Sequence, residues 1–366
     1  MNYRLATILA GEAHTVDITK IIDLKLSDPV TQFHILYKSL NVGSVEPTAH
    51  PAKCITKIEL VDGSDVLYSL SGQETQAVDY YHRIQEPGYI LNYLGGMNSE
   101  MVYNMNFGRF KFDPLFAFDP KKFTNPQLKI TIDIDGGGSA VASGNLRVFA
   151  SIFDGKTVTP EGFLMHKEIK DYTLGASAHE YTDLPMDFPY RKLFVKAQKY
   201  GTGPTGMIEN FKLTEDNDRK IPINMTGEEL VRLLTALKSP YHEIIIVNGA
   251  ASGWKFYCTP TGWPKLNVSR WEGSAAVQSA AAFEGDGGRG YTYFTVVGGN
   301  FMVSIDGYTP HGVIEIPFGL QDDPGDWYDV TKLGSLMLDI QATSGMTSSE
   351  SIQVFMQQLR KYGGAA

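Results

Sequence analysis

Cysteine is nearly absent. Only Cys54 and Cys258 occur in 366 residues, so no disulfide framework holds the chain and folding in a reducing compartment is expected. Basic excess is also missing: 32 Lys and Arg face 41 Asp and Glu, a net charge of −9 that argues against coating a nucleic acid. The first 30 residues supply no basic arm, because Arg4, Lys20 and Lys25 are outnumbered by Glu12, Asp17, Asp23 and Asp28. No run approaches the roughly 18 apolar residues of a membrane-spanning helix. The apolar stretch ending near Ala10 is too short for a secretory signal, so the sequons at Asn224 and Asn267 are expected to carry no sugar.

Signatures of chemistry are equally scarce. The histidines, at positions 14, 34, 50, 82, 166, 179, 242 and 311, form no His-x-His or His-x-x-x-His pair of the kind a cupin metal site uses. Gly285 to Gly290 lacks the Gly-Lys-Ser/Thr ending of a phosphate loop, and no Ser or Cys nucleophile motif occurs. Asp322, Asp323, Asp326 and Asp329 crowd one loop, where they read either as a calcium site or as a solvated turn. No catalytic residue, cofactor or metal is assigned, and the expectation is a protein that is not an enzyme.

What is present is β-forming. With 37 Gly, 18 Pro and 11% aromatic residues, the many short alternating runs between turn signals point to β-sandwiches. Three stretches look helical: an N-terminal one with Met1, Leu5, Ile8 and Leu9 on one face, and two that open with capping boxes at Ser71-Gly72-Gln73-Glu74 and Thr226-Gly227-Glu228-Glu229.

Those two boxes belong to a long repeat. Ile58–Val61, a polar turn and Val66–Leu70 precede the first; Phe211–Leu213, a polar turn and Ile221–Met225 precede the second. Further on, Lys111-Phe112-Asp113 is matched with Glu315-Ile316-Pro317, Asp119, Pro120 and Phe123 with Asp323, Pro324 and Trp327, Asp133 with Asp339, and Val148 with Val354. A repeat of half the chain is too long for a solenoid and implies two domains of one type. The spacing grows from 155 positions at the boxes to 206 at Asp133 and Val148, which places an insertion at about residues 239–292 of the second half. Strands are expected in the first half near 30–38, 54–61, 65–70, 88–94, 100–107, 109–113, 128–134 and 145–153. The fold class is therefore all-β: two tandem eight-stranded jelly rolls, each with a short helix after the fourth strand. The division expected is an N-terminal arm or helix over 1–27, a first roll over 28–160 and a second over 161–366.

Two such rolls, each with a hairpin ending in [Ser/Thr]-Gly-x-Glu and a helix, resemble the double jelly-roll major capsid proteins of the adenovirus and tectivirus lineage. The resemblance runs from about Asp28 to Tyr362 and is architectural. It implies a homotrimer whose six rolls form a pseudo-hexameric capsomer tiling an icosahedral shell. Its partners would be neighbouring capsomers and minor capsid proteins, with no direct nucleic-acid binding, in a virion assembled in the host cytoplasm. In several members an N-terminal helix lies beneath the shell near an internal membrane; Met1, Leu5, Ile8 and Leu9 fit either that role or docking against the chain's own base.

The insertion holds Trp254, Trp263 and Trp271, three of the four tryptophans. It reads as a surface tower with strands of its own, clearest at Glu243–Val247. The tryptophans are either a receptor-facing surface or the tower's own core. The competing function is a two-roll glycan-binding protein or glycan-acting hydrolase, with these rings stacking on sugars.

Overall fold

The computed structural model describes residues 2–42, 46–83, 91–137, 141–247, 253–269, 279–294, 300–346 and 351–363. The first half contains β1 (Tyr3–His14), β2 (Ile18–Asp23), β3 (Val30–Asn41), β4 (Ile55–Asp62), β5 (Asp65–Leu70), α1 (Gly72–Arg83), β6 (Leu91–Asn92), β7 (Asn98–Asn106), β8 (Pro126–Ile132) and β9 (Val141–Phe153). The second half begins with β10 (Gly162–Thr173), β11 (His179–Asp183), β12 (Tyr190–Ala197), α2 (Pro204–Met207), β13 (Ile208–Glu215), β14 (Lys220–Thr226) and α3 (Gly227–Leu237). A long excursion follows: β15 (Tyr241–Val247), β16 (Trp254–Tyr257), β17 (Pro260–Ser269), β18 (Ser279–Phe283), β19 (Arg289–Phe294) and β20 (Phe301–Pro310). Then β21 (Val313–Pro317), β22 (Leu336–Ala342) and β23 (Ser351–Lys361) complete the chain.

The sheets repeat one wiring diagram. In the first half, β1-β9-β3-β7 faces β2-β8-β4-β5; in the second, β10-β23-β12-β21 faces β11-β22-β13-β14. In each half the strands are taken from the chain in the same interleaved order, which is the jelly-roll arrangement. One sheet of the first half continues into one of the second: β5 pairs in parallel with β10, giving an eight-stranded sheet ordered β2-β8-β4-β5-β10-β23-β12-β21.

The repeat extends to single hydrogen bonds. Both capping boxes form, with Ser71 N–H donating to Glu74 at 2.7 Å and Thr226 N–H to Glu229 at 2.9 Å. The glycine of each box is required by space. A Cβ on Gly72 would lie 2.7 Å from Ala52 O, and one on Gly227 2.5 Å from Ile208 O. The same bulge interrupts β3 between Val30 and Gln32 and β12 between Tyr190 and Lys192. Val30 bridges Phe118 as Tyr190 bridges Tyr328.

Several expectations need correction. Residues 3–14 are strand, not helix. Two bulges, at Thr7/Leu9 and Leu9/Glu12, break the alternation of β1 and give its apolar residues helix-like spacing. Paired along its length with β9, the segment presents no helix face; Leu5 is 61% exposed on the edge of the sheet. With β1 and β2 built into the sheets, each capped helix follows the fifth strand of its half rather than the fourth. Residues 109–113 form a turn: the buried Asp113 carboxylate accepts from Arg109 Nε at 2.7 Å and Leu115 N at 3.0 Å. β7 therefore holds the place equivalent to β21. Asp119 and Phe123 correspond to Asp329 and Leu333, since Lys121 N donates to Asp119 as Thr331 N donates to Asp329. The shared Asp-Pro with Asp323 is coincidental. Asp339 pairs with Lys212 as Lys129 pairs with Glu59, so its counterpart is Lys129 rather than Asp133. Of the strand expected at 88–94, residues 88–90 lie outside the described residues and Leu91–Asn92 form β6.

The first core joins the first roll to the excursion: Phe33, Ile35, Leu60 and Tyr103 pack in one cluster with Tyr241, Ile245, Phe256, Phe301 and Val303. The second, around Leu193, Val195, Phe211 and Ile340, fills the second roll. Thr226→Ala, which removes one half of a capping box, is expected to lower unfolding free energy by about 1 kcal/mol. Gly227→Ala should lower it further, because its Cβ meets backbone; urea denaturation of the two variants measures the order.

Candidate assembly surfaces

The seam between the rolls is built on β5, β10 and α1. His166 pairs with Tyr68 and Lys167 with Ser69 across the parallel joint, and the Tyr68 and His166 rings lie 5.2 Å apart. Arg360 forks onto Asp65 at 2.8 Å on the same joint. The chain then turns at the capping box into α1, which lies over the outer face of the second roll. Its last turn accepts from Lys192 through Tyr81 O at 2.8 Å, and Tyr81 Oη donates to Val313 O at 2.7 Å. Tyr80 Oη donates to Ser239 O.

Charge is buried here only in company. Glu315, fully buried, takes Lys192 at 2.7 Å on one oxygen and Lys238 at 2.7 Å on the other. Burial pulls the Lys192 ammonium down to about 8, opposed by Glu315. Burial likewise lowers the Arg191 guanidinium to about 10; its Nη1 donates to Gln357 Oε1 at 3.2 Å.

Two buried histidines, His50 and His311, meet edge to face with centroids 4.8 Å apart. His50 Nδ1 accepts from Ala52 N at 3.0 Å, which leaves its proton on Nε2 facing Thr259 Oγ1 at 3.2 Å. His311 Nε2 donates to Gln76 Oε1 at 2.8 Å, while its Nδ1 faces the amide nitrogen of Gln73 at 3.3 Å. That amide is oriented by Lys196, which donates to Gln73 Oε1 at 3.1 Å. A second proton on either ring would point at another donor. Burial accordingly holds His50 and His166 down to about 3 and His311 well below its ordinary value.

The excursion stands on this seam. β17-β20-β15-β6 form one sheet, in which β6 from the first half pairs in parallel with β15; β16-β19-β18 form another. Among the described residues its core is Tyr241, Ile245, Val247, Phe256, Tyr257, Phe301, Val303 and Ile305, and neither Trp254 nor Trp263 belongs to it. Each such buried side chain contributes about 1.5–3 kcal/mol of apolar burial. Trp263 is 40% exposed with a left-handed φ of 43°, the Arg232 guanidinium 5.3 Å over its ring and Tyr308 edge-on at 6.4 Å. Trp254 is half-buried on β16. The two therefore sit in different sheets; Trp271 lies outside the described residues. The fourth tryptophan, Trp327, is buried between the halves against Phe116 at 6.0 Å, with Nε1 donating to Leu320 O at 3.0 Å.

The acidic loop spends its carboxylates on its own turns. Asp323 accepts from Gly325 N at 2.9 Å, Asp326 from Leu320 N at 2.6 Å and Asp329 from Thr331 N at 3.1 Å. Asp322 contributes its carbonyl to Arg109 Nη1 at 2.8 Å. Among the described residues no group of three or more His, Cys, Asp or Glu is placed to hold a metal.

Two jelly rolls fused through a shared sheet, with a tower rising from the second, define a double jelly-roll protein. Among solved structures, the chain resembles the STIV MCP, from Sulfolobus Turreted Icosahedral Virus, with a TM-score of 0.63 and 12% identity over 99% of this chain and 98% of that one. It resembles the major capsid protein P2 from bacteriophage PM2 with a TM-score of 0.56 and 10% identity, over 99% and 100% of the two chains. The PBCV-1 virus capsid matches with 0.57 and 10%, over 98% and 94%. At such identity the likeness is one of fold. No protein-family model and no curated protein sequence matches the chain.

Sequence reasoning found the two capped helices but not the seam. One signal was present in the apolar run Leu193-Phe194-Val195, since a strand buried on both faces reads without alternation; the buried Arg191 and Lys192 beside it carry no such mark.

The neutral histidines set a pH dependence. Their folded values lie below the unfolded 6.5, so the stability they carry is full above pH 6.5 and is lost as pH falls toward about 3. Buried Glu243, raised to about 7, has the opposite sign: its share is full below the unfolded 4.5 and lost as pH rises through about 7. Thermal melting should peak near pH 6 to 7 and fall steadily on acidification, more shallowly in His311→Gln; a flat profile from pH 7 to 4 would contradict the neutral-ring arrangement.

Proposed function

We propose that this protein is the major capsid protein of an icosahedral virus, a shell subunit that catalyses nothing and works through its interfaces. The observation that carries the reading is whole-length likeness: the match to the STIV MCP spans 99% of this chain and 98% of that one, with a TM-score of 0.63. Three copies would form a capsomer of six rolls with a near-hexagonal outline, in contact with neighbouring capsomers and minor capsid proteins. Its place would be the virion shell, after assembly in the host cytoplasm. The division into two rolls belongs to the same proposal: the expected boundary near residue 160 is kept, the second roll runs over 161–366, and the first begins with β1 and β2 rather than at residue 28.

The tower would face outward. Trp254 and Trp263, with exposed Ile244 and Tyr293 nearby in the chain order of the same excursion, are offered as the surface that meets partners outside the capsomer. The glycan reading gains no support, since the solved structures that the chain resembles over its whole length are capsid proteins.

Light scattering should give a mass of three times the 40.4 kDa chain, and electron microscopy should show hexagonal blocks bearing towers. A mass of one chain at every concentration would overturn the proposal. Trp263→Ala should leave the trimer mass unchanged while weakening attachment of particles to host cells; unchanged attachment removes the receptor role.

A further inference from the structure

The joint between the two rolls within one chain has a counterpart that the chain leaves open. Because the halves share registers, equivalent residues can be named. Tyr68 pairs with Leu60 as Ile223 pairs with Leu213, so Ile223 stands where Tyr68 stands in the first roll. His166 pairs with Gln357 as Leu5 pairs with Ser151, and the bulge after Glu168 recurs after Thr7, so Leu5 stands where His166 stands in the second. The Tyr68–His166 contact joins the rolls. Leu5 and Ile223, by contrast, lie on edge strands: β1 and β14 each close one end of a four-stranded sheet. Leu5 is 61% exposed, whereas His166 is fully buried.

The helices tell the same story. In α1 ten successive residues from Gly72 to Tyr81 are buried, because the second roll and the tower cover its outer side. In α3 only Gly227, Leu230, Val231 and Leu234 are buried. Leu233, the counterpart of Val78, is 57% exposed against 3%, and Leu237 is 71% exposed. The surface that α1 covers on the second roll includes Lys192, Phe194, Val313 and Glu315, all buried. Their counterparts by register are Gln32, His34, Val102 and Asn104, and these line an open cleft of about 550 Å³ on the first roll. An edge strand, an apolar helix face and an empty cleft are thus left over, and each is the complement of another by the chain's own example.

We propose that a second copy of this chain closes them. β14 of one copy adds in parallel to β1 of the next, with Ile223 opposite Leu5 and Asn224 opposite Ala6, while α3 lays Leu233 and Leu237 into the cleft beside His34 and Val102. The contact is heterologous, each copy giving one surface and receiving the other, so it closes only as a ring. Unpaired edges of this length are otherwise open to uncontrolled pairing. The inference rests on the capsid reading and names the interface of its trimer.

The test uses two variants of the full chain. Leu5→Cys with Ile223→Cys places thiols across the expected pairing, at a separation a disulfide spans; native Cys54 and Cys258 are buried and do not compete. Mild oxidation should convert this variant to covalently linked trimers, and neither single variant should cross-link. Leu233→Glu with Leu237→Glu changes exposed positions, so the chain should keep its melting temperature as a monomer while the trimer peak disappears in light scattering. If the native chain is trimeric yet the cysteine pair stays unlinked and the glutamate variant still assembles, this interface is wrong and the capsid reading stands. A native chain that is monomeric throughout overturns both.

Discussion

The parallel contact between β5 and β10 is the constraint on which the molecule depends. It involves few residues, His166 with Tyr68 and Lys167 with Ser69, yet it turns two separate four-stranded sheets into one continuous eight-stranded sheet. Parallel pairing needs both faces covered, since neither face of such a joint can be left to water. One face is covered by the second roll's opposing sheet. The other is covered by α1, which is why that helix is buried on all sides and carries Gln73, Gln76, Tyr80 and Tyr81 where a surface helix would carry charge. The tower then rests on α1 through Tyr80 and Tyr241, whose rings are 5.3 Å apart. Joint, helix and tower are one mechanical unit.

Polar groups make this unit specific. Apolar surfaces alone would let α1 slide over the second roll. Lys192 and Lys238 on Glu315, the donor–acceptor order at His50 and His311, and Lys196 on Gln73 admit one register only. Such pairs add little net stability when set against well-packed apolar side chains, but breaking one leaves a buried charge, at a cost of about 3–5 kcal/mol. Repetition of one roll supplies the frame, and the residues that differ at these positions decide which copy of a contact is made within the chain. Glu315 is the anchor where the first roll has Asn104, which instead donates to Asp79 at 2.8 Å.

The sequence displayed the parts of the fold that are locally encoded. Capping boxes at Ser71 and Thr226, the polar turns at Asp62 and Asp216, and alternating strands such as β4 and β8 owe their form to neighbours a few residues away. Those two turns even bond alike: Asp62 accepts from Thr124 and Asn125, Asp216 from Gly334 and Ser335. Where the reading failed, a local pattern was ambiguous. The bulges of β1 gave Leu5, Ile8 and Leu9 a helical spacing, and Asp-Pro at 119 and 323 offered a match that the hydrogen bonds reject. The seam was hidden for a different reason. His50, Gln73, Lys192 and His311 are far apart in the chain, and nothing local marks a lysine or histidine as destined for burial.

Exposure is where the two halves differ most, and it follows from position rather than composition. α1 and α3 begin with the same box and lie against the same kind of roll, but α1 has another roll beyond it and α3 does not. The apolar character of Leu233 and Leu237 has no use in a chain that stays alone, because an exposed helix face is stabilised as well by charged residues. Glu228 and Arg232, bonded at 2.7 Å on the same helix, show that such residues are available at adjacent positions. A chain whose first roll is finished by its second, and whose second ends in an unfinished version of the same contact, has a structure complete only when the pattern runs around a closed circle.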